Sequence, residues 1–117
     1  MQIKTGCDLV YIPKFKTAAT RNPDNNFLAH IFTTHELHHN PELNSLAGKF
    51  AAKEAIFKAL DYLKPGDWHQ IEIINLASGK PVIKLVDSHA AKIVSSDISI
   101  SHDGDYALAV CCFLIED

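Results

Sequence analysis

The feature that most restricts this chain is a long helical stretch from about Asn44 or Ser45 to Leu63, closed by Pro65-Gly66. Proline cannot continue a helix and glycine readily ends one, so this pair predicts its far boundary. Leu46, Phe50, Phe57 and Leu60 recur near one face at helical spacing, and Ile56 and Leu63 widen that face. Ala47 and Ala51 lie on a second face that runs on to Glu54 and Lys58, four residues apart. Alanines ending in an acid and a base leave room there for a ligand to approach.

After this helix the hydrophobic period changes to two. Ile71 and Ile73 alternate with Glu72 and Ile74, Ala77-Ser78-Gly79-Lys80 turns the chain, and residues 81–86 return as a second strand. Asp87-Ser88 predicts a capped short helix over Ala90 to Val94. Residues 97–102 alternate again, with Ile98 and Ile100 inward and Ser99 and Ser101 outward, before a tight turn at Asp103-Gly104. Tyr106 to Ile115 is almost wholly apolar, so it must be buried on both faces or lie at a subunit interface. Upstream of the long helix, residues 2–10 read as a strand, with Gly6 allowing close backbone approach. Pro13 suits the first turn of a helix over 13–21 that exposes Lys14, Lys16 and Arg21. The cluster Asn22-Pro23-Asp24-Asn25-Asn26 predicts a turn, and residues 27–32 a short helix. Thr33 and Glu36 form a capping-box pattern at the start of another, which Asn40-Pro41 stops. Helices early and antiparallel hairpins late give the α+β class, as one domain over 1–117.

Composition narrows the function classes. The chain has 117 residues, 47% hydrophobic and 21% charged, with a formal charge of -3, which suits a soluble globular domain and gives no pull toward nucleic acid. It has no run of about 18 apolar residues, so no membrane-spanning helix is expected. The N-terminus reaches Asp8 before a signal-peptide core could form, which predicts a cytoplasmic protein. The three cysteines show no paired spacing and read as buried, reduced thiols.

Four groups of residues could carry chemistry. Glu54 and Lys58 share a helix face, although spacing alone favours a plain surface ion pair. Asp8 stands at the end of a short apolar strand, where it alone reads as an ordinary strand-end aspartate. Ser101 and His102 sit at the mouth of a hairpin, as a phosphate or nucleotide contact or as solvated hairpin residues. Consecutive strand residues diverge, so Ser101-His102-Asp103 is no catalytic triad. His35-Glu36-Leu37-His38-His39 formally matches the H-E-x-x-H pattern of zinc hydrolases. Against it, Pro41 ends that helix almost at once, the capping box claims Glu36, and no third-ligand extension follows.

Together these segments resemble the holo-acyl-carrier-protein synthases, the small bacterial 4′-phosphopantetheinyl transferases. Gly6-Cys7-Asp8-Leu9-Val10 is similar to the family's opening motif, and Phe32-Thr33-Thr34-His35-Glu36-Leu37 to its F-T-x-x-E-L segment. Residues 45–60, SLAGKFAAKEAIFKAL, look like its long and highly specific signature. Trp68, Ile71-Glu72-Ile73 and Gly79-Lys80-Pro81 match the following strand pair, and Ser99-Ile100-Ser101-His102 the S-[IL]-S-H motif. The resemblance covers essentially the whole chain. Two departures stand out: Asp103 where the family usually has Thr, and a short, unusual segment around His38 to Leu43.

The resemblance implies a single-lobed phosphopantetheinyl transferase fold, one long helix packed on an antiparallel sheet. It implies Mg²⁺ held by Asp8 and Glu54, and transfer from coenzyme A to a serine of an acyl carrier protein, with release of 3′,5′-ADP. Lys58 would bind a phosphate oxygen, and the base would be Glu54 or a metal-bound water that it orients. Ser101 and His102 would contact the nucleotide, with Lys49 and Lys53 as further phosphate contacts. Lys14, Lys16 and Arg21 would face the acidic carrier protein, and three copies would assemble as a trimer. The rival readings are an inactive carrier-protein binder, a coenzyme A-binding module without transfer, and a zinc hydrolase built on His35 and His39.

Overall fold

The computed structural model describes residues 1–21 and 26–117, so most of the turn cluster expected at 22–26 lies outside the described residues. Strand β1 (Gln2–Tyr11) leads into helix α1 (Ile12–Thr20), followed by α2 (Phe27–Ile31), α3 (Thr34–His39) and the long α4 (Leu43–Ala59). A 3-10 turn (Trp68–Gln70) opens β2 (Ile71–Asn75), which pairs with β3 (Pro81–Leu85). Helix α5 (Asp87–Ala90), β4 (Ile93–Asp103) and β5 (Tyr106–Ile115) complete the chain. The sheets are an antiparallel β1-β5-β4 sheet and a separate β2-β3 hairpin. The α+β class and the helix-on-sheet arrangement follow the expectation.

The apolar strand β5 takes the central place. Its side chains alternate: Ala107, Ala109, Cys111, Phe113 and Ile115 are buried, while Tyr106, Leu108, Val110 and Cys112 are exposed. The inner face carries α4, and small residues on both sides let the two come close. At Gly6 the approach is closest, since a Cβ there would lie 1.9 Å from the Ala55 carbonyl oxygen. The other flank of α4 is aromatic: Phe50 and Phe57 pack against Trp68 with ring centroids 5.3 and 5.2 Å apart.

Several elements differ from expectation for identifiable reasons. Ala47 and Ala51 leave no space for a ligand, because both are fully buried in the core beneath the sheet. Helix α4 ends at Ala59 rather than Leu63, since Leu60 turns extended (φ -112°) and the Leu63 amide donates to the Leu60 carbonyl. That turn sends Leu60 and Leu63 both into the core. The short helix spans Asp87–Ala90, and Val94 belongs to β4, which begins at Ile93 with an irregularity before Ser95. Asp103 ends β4, so the hairpin turn is Gly104-Asp105, with Gly104 at φ +56°. Of the cysteines only Cys111 is buried, and burial pushes its thiol up to about 11; Cys7 and Cys112 are exposed.

Candidate active site

Asp8 and α4 meet because of glycine. Asp8 lies on the inner side of β1, two residues beyond the point where Gly6 touches the α4 backbone at Ala55. The strand therefore delivers Asp8 to the last two turns of α4, where Glu54 and Lys58 stand. Lys58 Nζ donates to Asp8 Oδ1 at 3.0 Å and to the Cys7 carbonyl at 3.1 Å. The Asp8 hydrogen bond holds the Lys58 ammonium above its usual range. Glu54 is pushed the other way: burial and the neighbouring Asp8 charge raise its carboxyl, and Lys58 only partly opposes them. Two neighbouring carboxylates at an open edge, one of them half-buried, suit a hard divalent cation. The three residues proposed as catalytic thus come together, although no surface i,i+4 pair forms: Lys58 pairs across the fold with Asp8, not along the helix with Glu54.

A second cleft lies on β4, at the opposite edge of the sheet from β1. Asn40, Ser45, Lys49, Asn75, Gly79, Pro81, Ile100 and His102 line it, with a volume of about 200 Å³. His102 faces inward and its Nε2 lies 3.0 Å from the Asn44 carbonyl, packed against Gly48 at the start of α4. Lys49 is only 4% exposed, and burial lowers its ammonium against the pull of Glu36 and Glu72. A half-desolvated cation beside an imidazole and several amide and hydroxyl groups is chemistry for a phosphate.

Not every candidate arrives at these places. Ser101 is on the outer face of β4, exposed beside Leu9, Asp103, Tyr106 and Leu108, and does not share the His102 cleft within one chain. Lys53 is fully buried, its Nζ donating to Glu36 Oε1 at 2.7 Å, to the Ile31 carbonyl at 2.9 Å and to the Trp68 carbonyl at 3.4 Å. That departs from its expected role as a phosphate contact, because all its reach is spent inside the protein. Glu36 is equally committed. It accepts from the Thr33 amide in the expected capping box, from Lys53 and from the Ile73 amide. This removes Glu36 as the base of a zinc hydrolase. Thr33 Oγ1 also donates to Glu72, extending the network to β2. Thr33-Glu36 was legible in the sequence; the Lys53 and Ile73 partners, and the Asn40, Ser45 and Asn75 walls of the cleft, are tertiary contacts that no local spacing announces.

Known proteins resemble this chain in sequence and in fold. A family model for the 4′-phosphopantetheinyl transferase superfamily matches residues 4–111. A holo-[acyl-carrier-protein] synthase of Dehalococcoides mccartyi is 39% identical over 112 residues, covering 91% of this chain and 93% of its own. One of Finegoldia magna is 31% identical over 121 residues, covering all of both. Among solved structures, Helicobacter pylori holo-[acyl-carrier-protein] synthase in complex with coenzyme A superposes with a TM-score of 0.86 at 30% identity, over 94% of this chain and 99% of that one. A Chronobacterium ammoniagenes ACPS-CoA complex gives 0.85 at 29% identity over the whole of both chains. The match runs from β1 through the signature of α4 to β5, and with the convergence of Asp8, Glu54 and Lys58 it is enough to say that the chain belongs to the holo-[acyl-carrier-protein] synthases of the 4′-phosphopantetheinyl transferase superfamily.

Proposed function

We propose that this chain transfers the 4′-phosphopantetheine arm of coenzyme A to a serine hydroxyl of an apo acyl carrier protein. The observation that carries this reading is the delivery of Asp8 by β1 to Glu54 and Lys58 of α4. Asp8 and Glu54 would hold Mg²⁺, whose fit rests on the chemistry of the neighbouring carboxylate pair described above. Bound there, Mg²⁺ would neutralise charge on the coenzyme A pyrophosphate.

The remaining steps belong to the protein's own side chains. The carrier serine oxygen attacks the β-phosphorus, and the bond from that phosphorus to the bridging oxygen breaks to release 3′,5′-ADP. Glu54, or a metal-bound water that it orients, would receive the serine proton. Lys58, free to leave Asp8 because its side chain is largely exposed, offers its ammonium to a phosphate oxygen. Lys49 and His102 hold the nucleotide's second anionic group, its 3′-phosphate.

The Asp8 corner and the Lys49–His102 cleft lie toward opposite edges of one sheet, and Ser101 faces away from both. A second copy completes the site most simply. The outer sheet face supports this: Leu9 is 60%, Val110 45% and Leu108 41% exposed, an apolar surface that a homotrimer would cover. A groove lined by Asp8, Leu9, Tyr11, Lys14 and Phe15 connects α1 with the catalytic corner. Lys14, Lys16 and Arg21 are exposed there to meet an acidic carrier protein. The same reading has the reaction in the cytoplasm, serving fatty-acid or polyketide synthesis; no described helix is long and apolar enough to cross a membrane.

The test is to incubate the chain with apo acyl carrier protein, coenzyme A and Mg²⁺ and to weigh the carrier protein. A gain of one phosphopantetheine, abolished by EDTA and by Glu54→Gln, is expected. No gain on several carrier proteins from a folded sample would overturn the reading.

A further inference from the structure

The transferase reading leaves one cluster unused, the histidines of α3. His35 and His39 are one helical turn apart, both exposed, with rings nearly parallel (10°) and centroids 5.9 Å apart. Side chains at i and i+4 share a helix face, and two imidazoles so placed can close on one ion. Most other imidazoles are engaged elsewhere, His89 packing on the Tyr62 ring and exposed His30 lying on α2. His69 Nε2 lies 2.9 Å from the Ala29 carbonyl, His102 is tied to Asn44, and His38 lies about 100° around the helix from His39 and about 60° from His35, whose ring pairs with His39. Glu36, between the pair in sequence, spends both oxygens on Thr33, Lys53 and Ile73.

We propose that His35 and His39 form a non-catalytic chelate site for a transition-metal ion of the Zn²⁺, Ni²⁺ or Cu²⁺ class, separate from the carboxylate corner at Asp8 and Glu54. Ligand chemistry keeps the two apart: neutral imidazole suits borderline transition metals, whereas paired carboxylates and water suit Mg²⁺. Among the described residues no cluster of three or more histidine, cysteine or acidic side chains could hold an ion, so the site is a two-ligand chelate open to water. With Glu36 withdrawn, it has no base and no hydrolytic role.

Its position gives the ion a structural consequence. The last turn of α3 is held loosely, with the Asn40 amide 3.4 Å from the Glu36 carbonyl. The Asn40 side chain in turn donates to Ser45, and both residues wall the Lys49–His102 cleft. An ion on His35 and His39 fastens this turn and stiffens that wall.

The experiment titrates the tag-free chain with ZnCl₂ calorimetrically, at mildly alkaline pH where ligating imidazoles are neutral, with Mg²⁺ in excess. One Zn²⁺ per chain is expected, undisturbed by Mg²⁺. His35→Ala and His39→Ala should each weaken it by roughly a hundredfold, the avantage of two linked ligands over one. His38→Ala should bind as the parent does. In the unmodified chain, Zn²⁺ should shift the ring resonances of His35 and His39 ahead of the other histidines, a readout independent of any variant's folding. Absence of binding, parent-like affinity in His35→Ala or His39→Ala, or first shifts at other histidines would each overturn the proposal.

Discussion

Replacing Gly6 by alanine tests whether the crossing of β1 over α4 builds the catalytic corner. The added Cβ would stand 1.9 Å from the Ala55 oxygen, 2.9 Å from its carbonyl carbon and 3.1 Å from the Ala59 nitrogen. All three are backbone atoms of a helix interior, so no side-chain rotation relieves the clash. To reach the 3.0 Å below which real contacts essentially never fall, strand and helix must separate by about 1.1 Å. Overpacking of this kind costs about 1–3 kcal/mol, and a backbone collision belongs at the upper end. For a domain of this size about 3 kcal/mol lowers Tm by roughly 12 °C, readable by calorimetry. Because Asp8 is two residues further along the strand, the same shift carries it away from Glu54 and Lys58. A displacement near 1 Å at reacting groups costs about a hundredfold in rate. The expected outcome is therefore a joint loss: reduced Tm, and kcat for carrier-protein modification down by about two orders at a temperature where the variant stays folded. A folded Gly6→Ala protein with parental kcat would refute the argument that this crossing positions the site, whatever its stability.

Three further outcomes follow from other parts of the fold. Removing one partner of the fully buried Glu36–Lys53 pair strands the other, so Glu36→Ala should lose about 3–5 kcal/mol in urea unfolding, and a loss under about 1 kcal/mol would contradict the burial. Burial and the Asp8 charge raise the Glu54 carboxyl above its ordinary range in the fold, so its proton stabilises the native state below the unfolded carboxylate's pKa and that contribution is lost as pH rises through the folded one. Glu54→Gln should accordingly be the more stable protein at neutral pH, with the advantage vanishing in acid and reversed by added Mg²⁺; equal stability of the two at every pH would sink this reading of the corner. Lys49→Met, which keeps volume and removes charge, should raise KM for coenzyme A about tenfold or more with a smaller effect on kcat, measured by initial rates; an unchanged KM would remove Lys49 from the nucleotide cleft.

Much of the architecture could be read before any coordinates, and the reason is periodicity. The change from a helical period in residues 45–60 to alternation after Ile71 fixes the class, and Gly6 in an apolar strand announces a close backbone pass. What stayed hidden depends on partners distant in sequence. Lys53 and Lys49 look alike on the helix, four residues apart, yet Glu36 draws one wholly inside while the other reaches a cleft. Nothing local separates them, because the deciding acid lies 17 residues upstream of Lys53 on another helix. The end of α4 was misplaced for a related reason: Pro65-Gly66 is a strong stop signal, but the core takes Leu60 and Leu63 together only if the chain turns earlier.

Strand β5 carries the argument to the level of assembly. A strand apolar on both sides has two possible homes, the interior of one chain or the boundary between several. The inner row, Ala107 to Ile115, is covered by α4, while Leu108 and Val110 stay open beside Leu9 on β1. Ser101 lies on this same open face, in register with Leu108 and through it with Leu9. On its own strand Ser101 is ordinary, since it continues the polar outer row of β4 through Asp97 and Ser99. In the proposed homotrimer a second copy would cover this face, and Ser101 of one copy and the Asp8 corner of another would border the same substrate. The exposed row of Leu9, Leu108 and Val110, more than Ser101 itself, is what links the proposed chemistry to the proposed association.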